Sequence, residues 1–442
     1  MSGRPEPQRL AAFLSLHRFH RDARLFLVTS LVTGAALSLY WVNFNLYLAS
    51  LGLPTSTIGL VATGASLTGA LVAFPASAAS DRLGRRRVIA GGIVVSIVAL
   101  VGLLTTAALP AIFVCAALWA AGQQSLQVVV APFLTEHSDA DHRNELFSVQ
   151  FAIQSANNIV AAVLGGVVAV AVAAAIGFQP GSPDTYRVIL VIMAGLLVAG
   201  LATVALLSDD RPAARARSHA RVTGEPAAFP PPAPSGAGRF GLVVEDRRRF
   251  VRLVLPGFLI AIGAGQVIPF LNLFIQRKFG LDLTSLNGVF ALTSLGTLVA
   301  VLAQPRLARR FGQITSVVMV QVASIPFLVV LGFSPILWTV ILAMAVRNSL
   351  MNAGNPIFTA FAMEQVSRAE RATLSAAMSL LWQAGWVIGG TWYALLQGAL
   401  GFERGYAVNF LTIITLYSTA TTLYWLWFRR VDRRILAART AA

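Results

Sequence analysis

Residues 77–87 read Ser77-Ala78-Ala79-Ser80-Asp81-Arg82-Leu83-Gly84-Arg85-Arg86-Arg87. This knot of charge lies between two apolar runs, 56–80 and 88–109, each long enough to cross a bilayer as a helix of about 20 residues. Gly84 permits a tight turn between them, and arginines gathered at the end of an apolar run mark a cytoplasmic loop. Outward from this point the chain repeats the pattern. Further apolar stretches fall at 25–50, 111–135, 146–175 and 186–207, then at 251–279, 284–308, 314–333, 335–363, 373–399 and 405–428. Six runs precede segment 208–249 and six follow it. That segment holds Pro226, Pro230, Pro231, Pro232 and Pro234 among Ala, Gly and Arg, too little apolar surface to offset the entropy of ordering, and is expected to be a flexible cytoplasmic linker.

Composition agrees with a polytopic membrane protein. Of 442 residues, 56% are hydrophobic and 12% charged, with a mean hydropathy of +0.72, whereas soluble domains carry roughly 25% charged residues. A soluble enzyme and a disordered chain are both excluded by these values. The net charge of +16 reads as topology, because the basic residues sit between apolar runs and share no soluble face of the kind nucleic-acid binding needs. No nucleic-acid partner is expected. All Lys and Arg except Arg187, Arg277, Lys278, Arg404 and Arg347 fall on one side when both termini are placed in the cytoplasm, which predicts that orientation. The first run is not closed by a small-residue cleavage site, so it is expected to stay as a helix.

The sequence carries no recognisable catalytic apparatus. Cys115 is the single cysteine, so neither a disulfide nor a Cys-based metal site is expected. No G-x-x-x-x-G-K-S/T run is present for ATP, no His/Asp/Glu cluster has metal spacing, and no nucleophile stands beside a base. No enzyme activity, metal or cofactor is therefore expected.

The two halves echo one another. Asn45-Leu46-Tyr47-Leu48 before Gly52 matches Asn272-Leu273-Phe274-Ile275 before Gly280, and Arg82-Leu83-Gly84 matches Arg310-Phe311-Gly312. Ser125-Leu126 followed by Pro132 likewise matches Ser349-Leu350 followed by Pro356. Parallel repeats of this kind imply two bundles related by an axis along the membrane normal, with a binding site near the midplane. The expected domains are an N-tail at 1–24, bundles at 25–207 and 250–428, the linker at 208–249 and a C-tail at 429–442.

The stretch from Ser77 to Arg87 resembles the loop 2-3 signature of the major facilitator superfamily, G-x-x-x-D-R/K-x-G-R-R/K, with Ser77 where the signature has Gly. The resemblance covers nearly the whole chain. It implies an all-α integral membrane fold of twelve transmembrane helices in two pseudo-symmetric six-helix bundles. Glu136 and Arg143 in loop 4-5, and Glu364 and Arg371 in loop 10-11, each separated by six residues, resemble the E-x6-R pairs of sugar porters in that superfamily. The resemblance implies a cytoplasmic charge network, here Asp81, Arg82, Gly84, Arg85, Glu136 and Arg143 with Arg309, Arg310, Glu364 and Arg371, latching the outward-facing state. Two signatures are missing. Where drug antiporters have Gly-Pro, this chain has Ala161-Ala162, although Gly165-Gly166 are kept, and Ser208-Asp209-Asp210-Arg211-Pro212 replaces the sugar-porter P-E-S-P-R.

The same resemblance implies a central cavity lined by helices 1, 4, 7 and 10, helped by 2, 5, 8 and 11. Helix 10 offers Arg347 and the amides Asn348, Asn352 and Asn355, whose i, i+4, i+7 spacing puts them on one face. Gln123, Gln124 and Gln127 answer on helix 4, and Gln150, Gln154, Asn157 and Asn158 form a stripe on helix 5. Tyr40, Asn43, Asn45, Gln266, Asn272 and Gln276 come from helices 1 and 7, and Trp382 with Trp386 on helix 11 could wall the cavity. Amides facing lipid are costly, so such stripes face protein or a wet cavity, and a guanidinium at membrane depth marks a functional site. It can hold a carboxylate or phosphate bidentately. No acid or histidine sits at a membrane centre, which disfavours proton coupling.

These readings converge on a monomeric secondary transporter of a small organic solute, polar or anionic, working by alternating access in the lipid bilayer of the inner (cytoplasmic) membrane. Arginine used almost without lysine fits a GC-rich bacterial genome. Multidrug efflux is the alternative, and a non-transporting sensor or lipid-translocating protein is the alternative of another class.

Overall fold

The structure, a computed structural model, describes residues 19–137, 143–208, 244–294, 312–367 and 370–441. Their secondary structure is helical, without strands. Helix α1 spans Arg21–Ser50, α2 Thr55–Leu83, α3 Arg85–Thr105 and α4 Leu109–Glu136. Helix α5 runs through Arg143–Val163, a π-helical turn at Leu164–Val168 and Ala169–Ile176, and α6 is Pro183–Ala205. Helix α7 comprises Arg247–Val267, a 3-10 turn at Ile268–Phe270 and Leu271–Phe279. Helix α8 is described over 283–294, α9 is Gln313–Phe333 and α10 is Leu337–Glu364. The last helical stretch, Arg371–Ala441, breaks at Gly401 into α11 before it and α12 after it.

Eight described helices, α1 to α7 and α9, are long and apolar enough to cross a membrane. Their uncovered faces are apolar: Leu71 and Phe74 on α2 are 67% and 65% exposed, and Val191 on α6 is 56% exposed. Apolar side chains exposed along whole helices would be an aggregation hazard in water, but in hydrocarbon they are already solvated.

The charged stretch 77–87 is shorter as a loop than its charge suggests. Helix α2 continues to Leu83 and α3 starts at Arg85, leaving only Gly84 outside helical geometry. Gly84 has φ 92 and Gly312, which opens α9, has φ 90, a region that a Cβ penalises. The sequence repeat around these two glycines thus extends to backbone conformation.

Contacts divide the chain into two compact units, one drawn from Met1–Tyr47 and Thr68–Ala228, the other from Leu48–Leu67 and Phe229–Ala442. In the first unit α3 and α4 touch at backbone distance, since a Cβ on Gly92 would come within 2.8 Å of the Gly122 carbonyl oxygen. Phe26 of α1 stacks on Phe133 of α4 at 4.5 Å, and the Tyr47 hydroxyl donates to the Leu103 carbonyl at 2.9 Å.

In the second unit α7 and α11 cross with equal intimacy. A Cβ on Gly265 would stand 2.8 Å from Trp386 Cα, and one on Gly389 would stand 2.9 Å from the Gln266 nitrogen. Small residues at such a crossing let membrane helices approach closely. The first part of α2, up to Leu67, belongs to this unit and packs on α11 as well, with Gly59 under the Tyr393 ring and Thr55 Oγ1 donating to Gln397 Oε1 at 3.4 Å. The 3-10 turn in α7 frees backbone carbonyls, and the Tyr406 hydroxyl donates to that of Phe270 at 3.1 Å. Asp246 caps α7 by accepting from the Arg248 and Arg249 amides at 3.0 and 3.1 Å. Those bonds, Arg249 first, hold its carboxyl below the usual range.

Candidate functional site

The first unit contains a cavity of about 430 Å³ between α1, α4 and α5. Thr29, Ser30, Thr33, Ser38 and Trp41 line it from α1, Gln123 and Gln127 from α4, and Gln150, Gln154, Asn157 and Asn158 from α5. The amide stripe read on helix 5 and two of the helix 4 glutamines are therefore gathered around one space. Spacing of i, i+4, i+7 and i+8 produces this, because those positions share one face of a helix.

Several of these polar groups are already engaged. Thr29 Oγ1 donates to the Leu25 carbonyl at 3.0 Å, and Thr33 Oγ1 donates to the Thr29 carbonyl at 2.8 Å. The Gln123 amide donates to Ser96 Oγ at 3.2 Å, tying α4 to α3. The Asn157 amide donates to the Ser30 carbonyl at 3.2 Å, and it lies where a Cβ on residue 34 would be. Gly34 is thus needed for Asn157 to reach α1. Among the described residues the oxygens Gln150 Oε1 and Asn157 Oδ1 are buried and have no hydrogen-bond partner.

The second unit holds Arg347, buried to 4% exposure on α10. It lies about 15 Å along the helix from Leu337 at 1.5 Å per residue, a distance of about half the thickness of a hydrocarbon layer of about 30 Å. Nη1 donates to Asn348 Oδ1 and Nη2 to the Tyr417 hydroxyl, both at 2.9 Å. The guanidinium carbon stands 5.6 Å from the centre of the Tyr417 ring. Among the described residues Nε has no partner and no carboxylate forms an ion pair with Arg347. Gly263 of α7 makes room for Tyr417, whose Cε1 would be 3.1 Å from a Cβ there.

Other residues singled out in the sequence are placed variously. Asn352 is exposed and donates to the Asn348 carbonyl at 2.8 Å, and Gln266 is buried with Oε1 unpartnered. Asn272 is buried after the break in α7, where Oδ1 accepts from the Leu273 amide at 2.8 Å. Asn43 does not line the polar cavity. It faces a small apolar recess with Tyr40, Phe44, Tyr47 and Tyr186. Trp382 is 38% exposed, its ring 6.3 Å from that of Trp386. The side chain of Asn355 lies outside the described residues.

Of the charge network, Arg85 and Glu136 meet at 3.0 Å, and Arg85 Nη1 also donates to Ser80 Oγ at 2.8 Å. Arg82 is exposed. Glu364 accepts from Gln313 at 3.2 Å, while Arg371 Nε donates to the Met363 carbonyl at 3.1 Å. Arg309 and Arg310, and the side chains of Asp81 and Arg143, fall outside the described residues.

Sequence reasoning missed Tyr417, the partner of Arg347, and the hydroxyls of α1. Tyr417, Thr421 and Tyr424 recur at helical spacing on α12, a polar stripe that could have pointed to it. The α1 hydroxyls carry no such signal, because serine and threonine satisfy themselves on their own helix.

The comparisons with known proteins agree with this architecture. No curated protein sequence matches the chain. Among solved structures, the nucleoside transporter NupG is similar at a TM-score of 0.70 and 13% identity, over 92% of this chain and 99% of that one. A bacterial homologue of the human lysosomal transporter Spinster, inward-facing and occupied, scores 0.70 at 14% identity over 96% and 98%. The peptide transporter POT in complex with sulfate scores 0.71 at 13% identity over 98% and 99%. At such identities these likenesses establish the fold. The sequence itself matches the Major Facilitator Superfamily over residues 26–390, and the chain belongs to that superfamily.

Proposed function

We propose that the protein is a secondary transporter of a small organic solute bearing one anionic group, moved by alternating access across the cytoplasmic membrane with both termini inside. Arg347 carries this reading. A guanidinium buried at membrane depth is expensive, and here two neutral oxygens and a ring face are its partners. A carboxylate or phosphate on the solute supplies the missing charge and can engage Nε, which is free. Neighbours of this fold are named as transporters of nucleosides and of peptides, so the fold does not choose the solute and the site must.

The test is a thermal-stability screen of the purified protein against anionic, neutral polar and cationic lipophilic compounds. A ligand that binds only the folded state stabilises it by RT ln(1 + [L]/Kd). Hits among organic anions are expected. Hits confined to lipophilic cations would replace this reading with drug efflux.

The Arg85–Glu136 pair, which joins α3 to α4, is the described part of the proposed cytoplasmic charge network. Arg85 is nearly buried and Glu136 about one-third exposed, so screening limits the pair to about 0–1 kcal/mol. Glu136→Gln is expected to shift the ratio of inward to outward states up to about fivefold towards inward. Spin-label distances across the cytoplasmic side check this, and an unchanged ratio removes Glu136 from the latch.

A further inference from the structure

At one end of the second unit the start of α7 lies against the close of α12. The Arg252 guanidinium carbon stands 5.8 Å from the centre of the Trp427 ring, and a Cβ on Gly257 would come 3.6 Å from the Tyr424 hydroxyl. The two helices therefore run antiparallel here, and one turn further out Arg248 on α7 and Arg430 on α12 reach the same level. Both are exposed. Residues 248 and 252 share a face of α7, as 427 and 430 share one of α12, so three guanidinium groups gather along one seam beside an indole.

Little negative charge offsets them. Asp246 accepts from the amides of Arg248 and Arg249 and pairs with the Arg249 side chain at 3.7 Å. Among the described residues no carboxylate pairs with Arg248, Arg252 or Arg430. Arg248 also sits in the first turn of α7, where the helix dipole opposes a cation. Positive charge gathered in this way repels itself and calls for an anion.

The same seam carries an apolar border. Val251, 44% exposed, is three residues inward from Arg248, and Leu426, 55% exposed, is four residues inward from Arg430. At those spacings each aliphatic side chain shares a helix face with its arginine, so on both helices an uncovered apolar group gives way to a cation within one turn. Tryptophan favours the depth at which hydrocarbon meets water, and Trp427 stands at this border under Arg252. A soluble anion makes no use of the aliphatic half of the surface. A phospholipid uses both halves.

We propose that the α7–α12 seam binds an anionic phospholipid, its phosphate taken by Arg248, Arg252 and Arg430 and its acyl chains lying along Val251 and Leu426. Guanidinium groups donate to phosphate oxygens in pairs, and basic pockets between membrane helices hold acidic headgroups. A zwitterionic lipid, which brings its own cation, gains less. The inference makes no use of Arg347.

Native mass spectrometry of the full-length protein in detergent, with dioleoylphosphatidylglycerol or dioleoylphosphatidylcholine added, counts the lipid that stays bound. These lipids share their chains and differ in headgroup charge. The wild type is expected to bind the phosphatidylglycerol at least about tenfold tighter. An arginine at a membrane surface contributes about fivefold in affinity for anionic lipid, so Arg248→Gln and Arg430→Gln are each expected to weaken phosphatidylglycerol about fivefold and to leave phosphatidylcholine within about twofold. Both side chains are exposed, so neither change disturbs packing. Arg24→Gln removes an exposed arginine from α1 in the first unit and is expected to leave phosphatidylglycerol binding within about twofold. Inorganic phosphate, compared with chloride at equal ionic strength, is expected to displace none of the lipid. Equal binding of the two lipids, or equal weakening by all three variants, would overturn the site and leave its arginines as general surface charge. Displacement by inorganic phosphate would also overturn it, in favour of a site for the free anion.

Discussion

Arg347→Met is expected to abolish anion transport, lowering kcat/KM at least about 100-fold, without lowering the thermal stability of the ligand-free protein. The two halves of this expectation have the same cause. Burying the guanidinium costs several kcal/mol, and exchanging a buried charge for an apolar side chain of similar volume is often neutral or stabilising. Against this stands the loss of two hydrogen bonds, to Asn348 and Tyr417, each leaving a polar atom worth about 1–3 kcal/mol if it stays buried and unpaired. Asn348 is only half-buried and can rehydrate, so the terms nearly cancel. Binding enjoys no such cancellation, because a charge-assisted bidentate contact to the solute is removed outright. Thermal unfolding followed with and without ligand separates the halves. A melting temperature falling by more than about 5 °C with binding retained would make Arg347 a structural strut between α10 and α12.

Gly389→Leu is the most disruptive single change expected in the second unit. Even an alanine Cβ there would meet the Ile262 carbonyl, with the Gln266 nitrogen and the Gly265 carbonyl carbon both 2.9 Å away. These are backbone atoms of α7 and cannot swing aside as a flexible side chain can. Overpacking typically costs about 1–3 kcal/mol. The alanine variant is expected in that range, and the leucine variant is expected to part α7 from α11 and to yield no monodisperse protein. Size-exclusion profiles and melting curves of Gly389→Ala and Gly389→Leu provide the check. A leucine variant that melts like the wild type would mean that the two helices do not touch at residue 389. Gly34 is the instructive contrast: there the obstructing atom is the end of the Asn157 side chain, which can rotate, so substitution alters the cavity more than the fold.

Some features could be read from the chain alone and others could not, for physical reasons. Long apolar runs and the arginines between them report the solvent around a helix, a property local to the sequence, and α1 to α7 and α9 follow those runs closely. Gly84 and Gly312 were visible because only glycine suits their φ. The α5 amide stripe was visible because periodicity defines a face, and that face does line the cavity. Asn43 could not be placed this way, since a polar residue on a cavity helix can face a neighbour, as Asn43 faces the recess beside Tyr186. The π-turn at Leu164–Val168 and the bond from Tyr406 to the break in α7 depend on tertiary partners, and no local pattern announces them. Tyr417 was missed for the same reason: a hydroxyl becomes the companion of a guanidinium only when α12 is laid against α10.

The proposed transport depends on Arg347 anchoring the anionic group of the solute. Its most direct test is counterflow in proteoliposomes, with an organic anion found in the stability screen loaded inside and its labelled form added outside. Without an imposed ion gradient, the wild type is expected to accumulate label transiently and Arg347→Met, reconstituted to the same density, to show none. Accumulation by the variant at the wild-type rate, or binding without exchange by the wild type, would contradict the claim, the first by removing Arg347 from the site and the second by showing a receptor in place of a carrier.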